Sequence, residues 1–327
     1  MKVLALSSAD VLASSSMASA IGAVREAFWL RAKRRISAPL RTRIELTGTK
    51  NFLVMAAMIR TGWNPVTVKL VNVDSDPAAG AGAVDAKVFL LGGKDGEAKA
   101  VMDGGALTAL RTGAVSGLSC RYLARRDARL LGIIGAGGQA FHQISGVCAE
   151  RRIAKVKIFS RHRGRSASLA TRVGRELCID AHVSTSAAAC AAGSDVVVTA
   201  TTSPTPVLTR SMVDDGTHVI AVGAYTPETR EVDTSLVRAA LVFADSEEAV
   251  MAEAGDFLIP LKEGKIRRSH LKGDLAGLVS GKTKGRRSDG DVTLFKSLGL
   301  AFEDTAVARL VYDRAIRTNR GRWVELW

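Results

Sequence analysis

The run Leu130-Leu131-Gly132-Ile133-Ile134-Gly135-Ala136-Gly137-Gly138-Gln139-Ala140 limits what this chain can fold into more than any other stretch. It reads as a buried strand that breaks into a glycine turn and re-forms as a helix. Gly135 permits the tight turn, Gly137 lets the backbone approach an anion with no Cβ in the way, and Ala140 is small enough for the new helix to pack on the strand. The first-turn N–H groups of that helix then face the anion. The next apolar strand, Val156 to Phe159, follows about twenty residues later, the separation of one βαβ unit. The pattern predicts a dinucleotide pyrophosphate over Gly135, Gly137, Gly138, Gln139 and Ala140.

The end of that second strand indicates which dinucleotide. A carboxylate there would accept hydrogen bonds from both ribose hydroxyls of NADH, but the chain has Ser160-Arg161-His162-Arg163-Gly164-Arg165 instead. Guanidinium groups suit a 2′-phosphate, so Ser160, Arg161 and Arg163 point to NADPH, with NADH as the alternative and a plain solvated basic loop as the bland reading.

At 327 residues, 47% hydrophobic and 24% charged, the chain has room for two domains and an ordinary globular composition. No segment offers the ~20 uninterrupted apolar residues of a membrane span, and the N-terminus lacks a signal-peptide core, so a cytoplasmic protein is expected. Cys120, Cys148, Cys178 and Cys190 show no CxxC spacing and the five histidines no HxxxH or HExxH pattern. Neither a metal site nor a disulfide framework is expected, and the cysteines read as buried structural thiols. The net charge of +14 admits nucleic acid or anionic substrates. Its basic residues are spread rather than blocked and aromatics are only 5%, so nucleic-acid binding is the minor reading.

Ser8 or Asp10 is placed to cap one helix running to about Arg34. Leu40 to Glu45, Phe52 to Met55, Val66 to Val73, Ala86 to Leu91 and Ala98 to Met102 then read as strands, the last two joined by a hairpin at Gly92-Gly93-Lys94-Asp95-Gly96. The first hundred residues are thus mainly antiparallel β behind one helix. Helical spacing follows from Leu107 to Ala124. Strands at Leu130 to Ile134, Lys155 to Ser160, Asp195 to Thr199, His218 to Val222 and Leu241 to Ala244 then alternate with helices, which implies a doubly wound parallel sheet. Asp291 to Ile316 reads as a closing helix.

Several blocks coincide in order: Pro39-Leu40-Arg41-Thr42, Val68-Lys69-Leu70-Val71, Met102 to Thr112, Gly135 to Ala140, Gly223 to Asp233, and Thr293-Leu294-Phe295-Lys296-Ser297-Leu298-Gly299-Leu300-Ala301-Phe302-Glu303-Asp304. Together they resemble the ornithine cyclodeaminase and mu-crystallin family over nearly the whole chain, the last block being most like its mu-crystallin side. The resemblance implies an α/β fold in which a Rossmann domain (116–299) is inserted into a discontinuous α+β substrate-binding and dimerisation domain (1–115 plus 300–327). It further implies a homodimer, hydride transfer at the α-carbon of an amino acid or its imine, substrate contacts from Arg41, Lys69 and Arg111, and cofactor contacts that also include Thr112, Thr201, Val222 and Lys296.

Without the resemblance, Arg111 lies in an apolar, small-residue helix start where a buried guanidinium needs an anion, and a substrate α-carboxylate would supply one. Lys69 sits in an apolar strand where it faces either core or solvent; only the resemblance makes it a site ammonium. Arg41 competes with Arg43, available on the same strand face.

Two departures from the family pattern stand out. Met55-Ala56-Ala57 replaces Met-Pro-Ala in what reads as a loop near the substrate. Tyr225 replaces the aspartate that serves the family's cyclodeaminases as general base, and a phenol of ordinary pKa near ~10 is a poor base at neutral pH. The sequence therefore predicts a reductase of small cyclic α-imino acids such as Δ1-pyrroline-2-carboxylate or Δ1-piperideine-2-carboxylate. Lys69 and Arg111 are its catalytic residues, and Tyr225 shapes the pocket. Alternatives are alanine-dehydrogenase-like amination, ornithine cyclodeamination, and a non-catalytic NADPH-dependent binding protein.

Overall fold

The computed structural model describes residues 2–47, 50–74 and 85–325. In chain order it begins β1 (Lys2–Leu6), α1 (Ser8–Ala13), α2 (Met17–Ala32), β2 (Ile36–Ser37), β3 (Thr42–Thr47), β4 (Lys50–Ile59), β5 (Val66–Asp74), β6 (Asp85–Leu91), β7 (Ala98–Asp103) and α3 (Gly104–Leu123). An alternating series follows: β8 (Leu130–Ile134), α4 (Ala140–Glu150), β9 (Lys155–Phe159), α5 (Arg163–Leu177), β10 (Asp180–Val183), α6 (Ala187–Ala191), β11 (Val196–Thr199), β12 (His218–Ala221), α7 (Thr234–Ala239), β13 (Leu241–Ala244), α8 (Glu247–Glu253), α9 (Gly255–Lys262), β14 (Leu271–Asp274), α10 (Leu275–Val279) and β15 (Thr293–Lys296). The chain closes with α11 (Ala301–Arg317) and β16 (Arg322–Glu325). These elements form two compact units, Met1–Ala114 with Gly299–Trp327, and Val115–Leu298.

The first unit holds an eight-stranded sheet in the order β16-β1-β7-β6-β5-β4-β2, with β3 also paired to β4. β1 runs parallel to β7, so this sheet is mixed rather than wholly antiparallel. Its inner face packs on α11, which packs in turn on α2, where the buried rings of Phe28 and Phe302 meet edge to face at 5.1 Å. Alternation along β6, with Ala86, Val88 and Leu90 buried between exposed Asp85, Lys87 and Phe89, is the signature of a sheet covered on one face.

One long N-terminal helix was the expectation here, and the structure has two. Ser7 and Asp10 form a capping box on α1, and Ser16 with Ser19 forms another on α2. Ser14 ends α1 and the Ser16 hydroxyl accepts from Ser19 N to start α2, so the chain stops and recaps. Met55-Ala56-Ala57 lies inside β4, with Met55 opposite Lys69, not in a loop.

The second unit is a fully parallel sheet in the order β10-β9-β8-β11-β12-β15-β13-β14. The chain winds outward from β8 through β9 to β10 and then returns to β11 on the other side of β8, so the strand order reverses there, and the crevice outside the carboxyl ends of β8 and β11 is where such sheets bind ligands. Residues 291–300, expected to open the last helix, instead supply β15, buried throughout between β12 and β13. A four-residue apolar run does not distinguish strand from helix, and the left-handed Gly299 (φ 77°) separates it from α11.

Candidate active site

In the first unit three cations converge on the N-terminal turn of α11. Lys69, on the inner face of β5, places Nζ 3.2 Å from Asp304 Oδ1 and 3.4 Å from Oδ2. Arg111, on α3, donates from Nη1 to Glu303 Oε2 at 2.9 Å and lies with Nε 3.3 Å from Asp304 Oδ1. Arg41, just before β3, donates from Nη2 to the Gly299 carbonyl at 3.3 Å. Lys69 and Arg111 are only 2% and 6% exposed, and Glu303 and Asp304 are fully buried. The positive end of the α11 dipole favours both carboxylates, which in turn hold the cations. Gly299 is required here: a Cβ would come within 2.3 Å of Arg111 Nη1.

Arg111 has counter-charges within the chain itself, Glu303 and Asp304, and Lys69, which the strand pattern left open between core and solvent, faces the core. Arg41 and Arg43 have different partners, since Arg43 donates from Nε to Asn51 Oδ1 at 2.7 Å. Burial, reinforced by the neighbouring Arg111 and Arg41 charges and opposed by Asp304, pushes the Lys69 ammonium down to about 8. An ammonium so placed can release a proton near neutral pH.

Sequence reasoning assigned Glu303 and Asp304 no role. Two acids in the first turn of an apolar helix were the available signal.

In the second unit the glycine turn follows β8. Gly135 has φ +112°, and a Cβ there would lie 2.3 Å from the Ala200 carbonyl, so only glycine fits. Open space lies over Gly137 and Gly138, where no atom falls within 4 Å of an added Cβ. Buried Ala140 starts α4, whose N-cap, Gln139, makes no side-chain capping bond. An uncapped helix N-terminus behind bare glycine backbone fits a pyrophosphate.

At the end of β9, Ser160 Oγ donates to the His162 carbonyl at 2.9 Å, while Arg161 and Arg163 are exposed at the start of α5. Thr112 Oγ1 donates to the Thr108 carbonyl of its own helix. Thr201 follows β11 and Val222 follows β12, with Val222 N donating to the Thr199 carbonyl. Lys296, at the end of β15, is buried, with Nζ 2.6 Å from the Ala224 carbonyl and 2.8 Å from Asp256 Oδ2. Tyr225 is half-buried in the loop after β12. Burial raises the Cys120 and Cys148 thiols to about 12 and Cys190 to about 11, so these three are neutral and unreactive. Cys178 is exposed, not buried as expected.

A doubly wound parallel sheet with a glycine turn at its switch point, in a chain whose other unit gathers buried cations, is the plan of a dinucleotide-dependent oxidoreductase. The chain belongs to the ornithine cyclodeaminase/mu-crystallin family, whose sequence profile matches residues 1–319. It is 33% identical over 296 residues to the Delta(1)-pyrroline-2-carboxylate reductase of Bacillus cereus, covering 90% of each chain. It is 31% identical over 330 residues to the alanine dehydrogenase of Archaeoglobus fulgidus, covering 100% of this chain and 99% of that one. Among solved structures, Thermococcus litoralis Delta(1)-pyrroline-2-carboxylate reductase in complex with NADH and L-proline superposes with a TM-score of 0.95 at 36% identity, covering 98% of this chain and all of that one.

Proposed function

We propose that this protein is an NADPH-dependent reductase of small cyclic α-imino acids, converting Δ1-pyrroline-2-carboxylate or Δ1-piperideine-2-carboxylate to proline or pipecolate. The gathering of Lys69 and Arg111 on Glu303 and Asp304, with Arg41 beside them on the Gly299 carbonyl, carries the reading. Two guanidinium groups and an ammonium gathered at one buried place suit a substrate carboxylate. Arg111 and Arg41 hold that carboxylate, and Lys69 keeps or supplies the proton on the imine nitrogen. A dinucleotide held over Gly135, Gly137 and Gly138 would supply the hydride that, with one proton on nitrogen, turns C=N into CH–NH. Tyr225 stands at the sequence position where a cyclodeaminase needs its base. The reading is tested by a steady-state panel of cyclic imino acids, keto acids with ammonia, and ornithine; a preference for pyruvate with ammonia over every imine overturns it.

Exposed Arg161 and Arg163, with no carboxylate at the end of β9, support NADPH as the preferred cofactor. Charge-assisted bonds to the 2′-phosphate contribute about 1.5–3 kcal/mol, so NADPH is expected to bind about ten- to a hundredfold more tightly than NADH. Titration calorimetry with both cofactors checks this, and equal affinities contradict it.

A homodimer through the first unit's sheet is the reading best supported by its outer face. Val54 and Leu70 are cross-strand partners there, as are Ala56 and Val68, and Val68 and Phe89. Ile44 and Leu46 of β3 add side chains 48% and 54% exposed. A face this apolar needs a partner. Light scattering at micromolar concentration is expected to give twice the mass of one chain; a monomer contradicts it.

A further inference from the structure

Beyond the glycine turn, the second unit carries a buried carboxylate that the chemistry above does not use. Glu231 is fully buried between the loops that leave β11 and β12. Its Oε1 accepts from both the N–H and the hydroxyl of Thr201, each at 2.7 Å. Its Oε2 accepts from Gly223 N at 2.6 Å and from Ala224 N at 3.4 Å. Each oxygen therefore serves one loop, and a single side chain fixes the spacing between them.

The residue holding these loops is itself pinned. Glu231 N donates to Asp256 Oδ1 at 2.7 Å, and its carbonyl accepts from Val207 N and Leu208 N. Asp256 Oδ2 faces Lys296 Nζ, whose second contact is the Ala224 carbonyl, so the Gly223-Ala224 turn is gripped by Glu231 at its N–H groups and by Lys296 at a carbonyl. The close approach leaves no room for a side chain: a Cβ on Gly223 would lie 2.1 Å from the Thr201 carbonyl and 2.5 Å from Glu231 Oε1.

The location matters as much as the bonds. Thr201 stands at the β8/β11 switch point, and its Cγ2 lies 3.3 Å from the position of a Cβ on Gly135. Movement of Thr201 is thus felt directly at the glycine turn, and movement of Gly223-Ala224 is felt at Tyr225. Burying a carboxylate costs free energy that a purely structural tie between two loops could avoid with apolar side chains. What the carboxylate provides is two acceptors at fixed separation, aimed at backbone donors of adjacent strand ends.

We propose that Glu231 is a positioning residue, which sets the β11 and β12 loops against the glycine turn and so fixes the dinucleotide's reactive ring, with Lys296 and Asp256 securing the same turn. This rests on the dinucleotide-dependent reading above. Lys296 then acts on the cofactor through the Ala224 carbonyl rather than by touching it.

The test is Glu231→Gln, which keeps the shape but turns an NH2 towards N–H donors of one loop. The Kd for NADPH by fluorescence titration is expected to rise at least about tenfold, and kcat to fall, with the KM for the imino acid unchanged. Thr201→Val deletes the hydroxyl's bond to Glu231 and its acceptance from Ser203 N, keeps the Thr201 N–H bond, and is expected to move Kd in the same direction by less. A merely structural tie would lower the melting temperature and leave Kd and kcat per folded molecule alone. Kd and kcat within about twofold of wild type in the folded Glu231→Gln protein overturn the proposal. If that variant does not fold, an unchanged Kd in Thr201→Val overturns it. A wild type that binds NADPH but reduces no imino acid removes the reductase reading, while the Kd comparison still decides the role of Glu231.

Discussion

Replacing Arg111 with alanine is expected to lower kcat/KM for the imino acid by at least about 10²–10³-fold while leaving the Kd for NADPH within experimental error. Truncating one partner of a buried, hydrogen-bonded charge cluster costs about 3–5 kcal/mol, because the remaining charges stay buried without it. Here Glu303 and Asp304 would lose the guanidinium that contacts both of them, and the bidentate donor for a carboxylate would be gone. Arg111 is assigned to the substrate carboxylate and not to the nucleotide, so cofactor affinity is expected to hold. Arg111→Lys should recover part of the loss, since it restores charge but not the planar fork. Wild-type kcat/KM in the alanine variant contradicts the assignment.

The second large effect concerns what the protein does not catalyse. Release of ammonia from ornithine requires a base to free the side-chain amine for ring closure, and at that place in the loop after β12 the chain has the phenol of Tyr225. Loss of general-base catalysis lowers rates by about 10²–10⁴-fold. Ammonia formation from ornithine with NAD+ or NADP+ is therefore expected to run that far below imine reduction, and Tyr225→Asp to raise it without improving the reduction. A coupled ammonia assay reads both. Comparable rates in the wild type would mean that another residue serves as base.

How far the chain announced this arrangement depended on the kind of signal. The glycine turn was legible because each residue answers a local steric demand that sequence alone exposes: a positive φ at Gly135, bare backbone at Gly137 and Gly138, close packing at Ala140. Strands with apolar runs, such as Leu130–Ile134 and Leu241–Ala244, were legible for the same reason.

The short polar edge strands Asp180–Val183 and Leu271–Asp274 were not, since an edge carries little hydrophobic pattern. Nor was the pairing of Lys69 and Arg111 with Glu303 and Asp304, contacts that close over 235 and 192 residues of chain and leave no local trace. Lys69 shows the limit well. Period-2 alternation says only that a residue faces one side or the other, and the position of α11 decides which. Glu231 went unnoticed because a lone acid in a loop reads as surface until the two loops it joins are brought together.

The central claim is most directly tested by incubating the purified protein with NADPH and Δ1-pyrroline-2-carboxylate and following cofactor oxidation together with the appearance of proline. The account predicts one proline formed per NADPH consumed, at a rate that falls by at least about 10²-fold in Arg111→Ala. No proline from wild type under conditions where NADPH is bound, or an equal rate from Arg111→Ala, would contradict it.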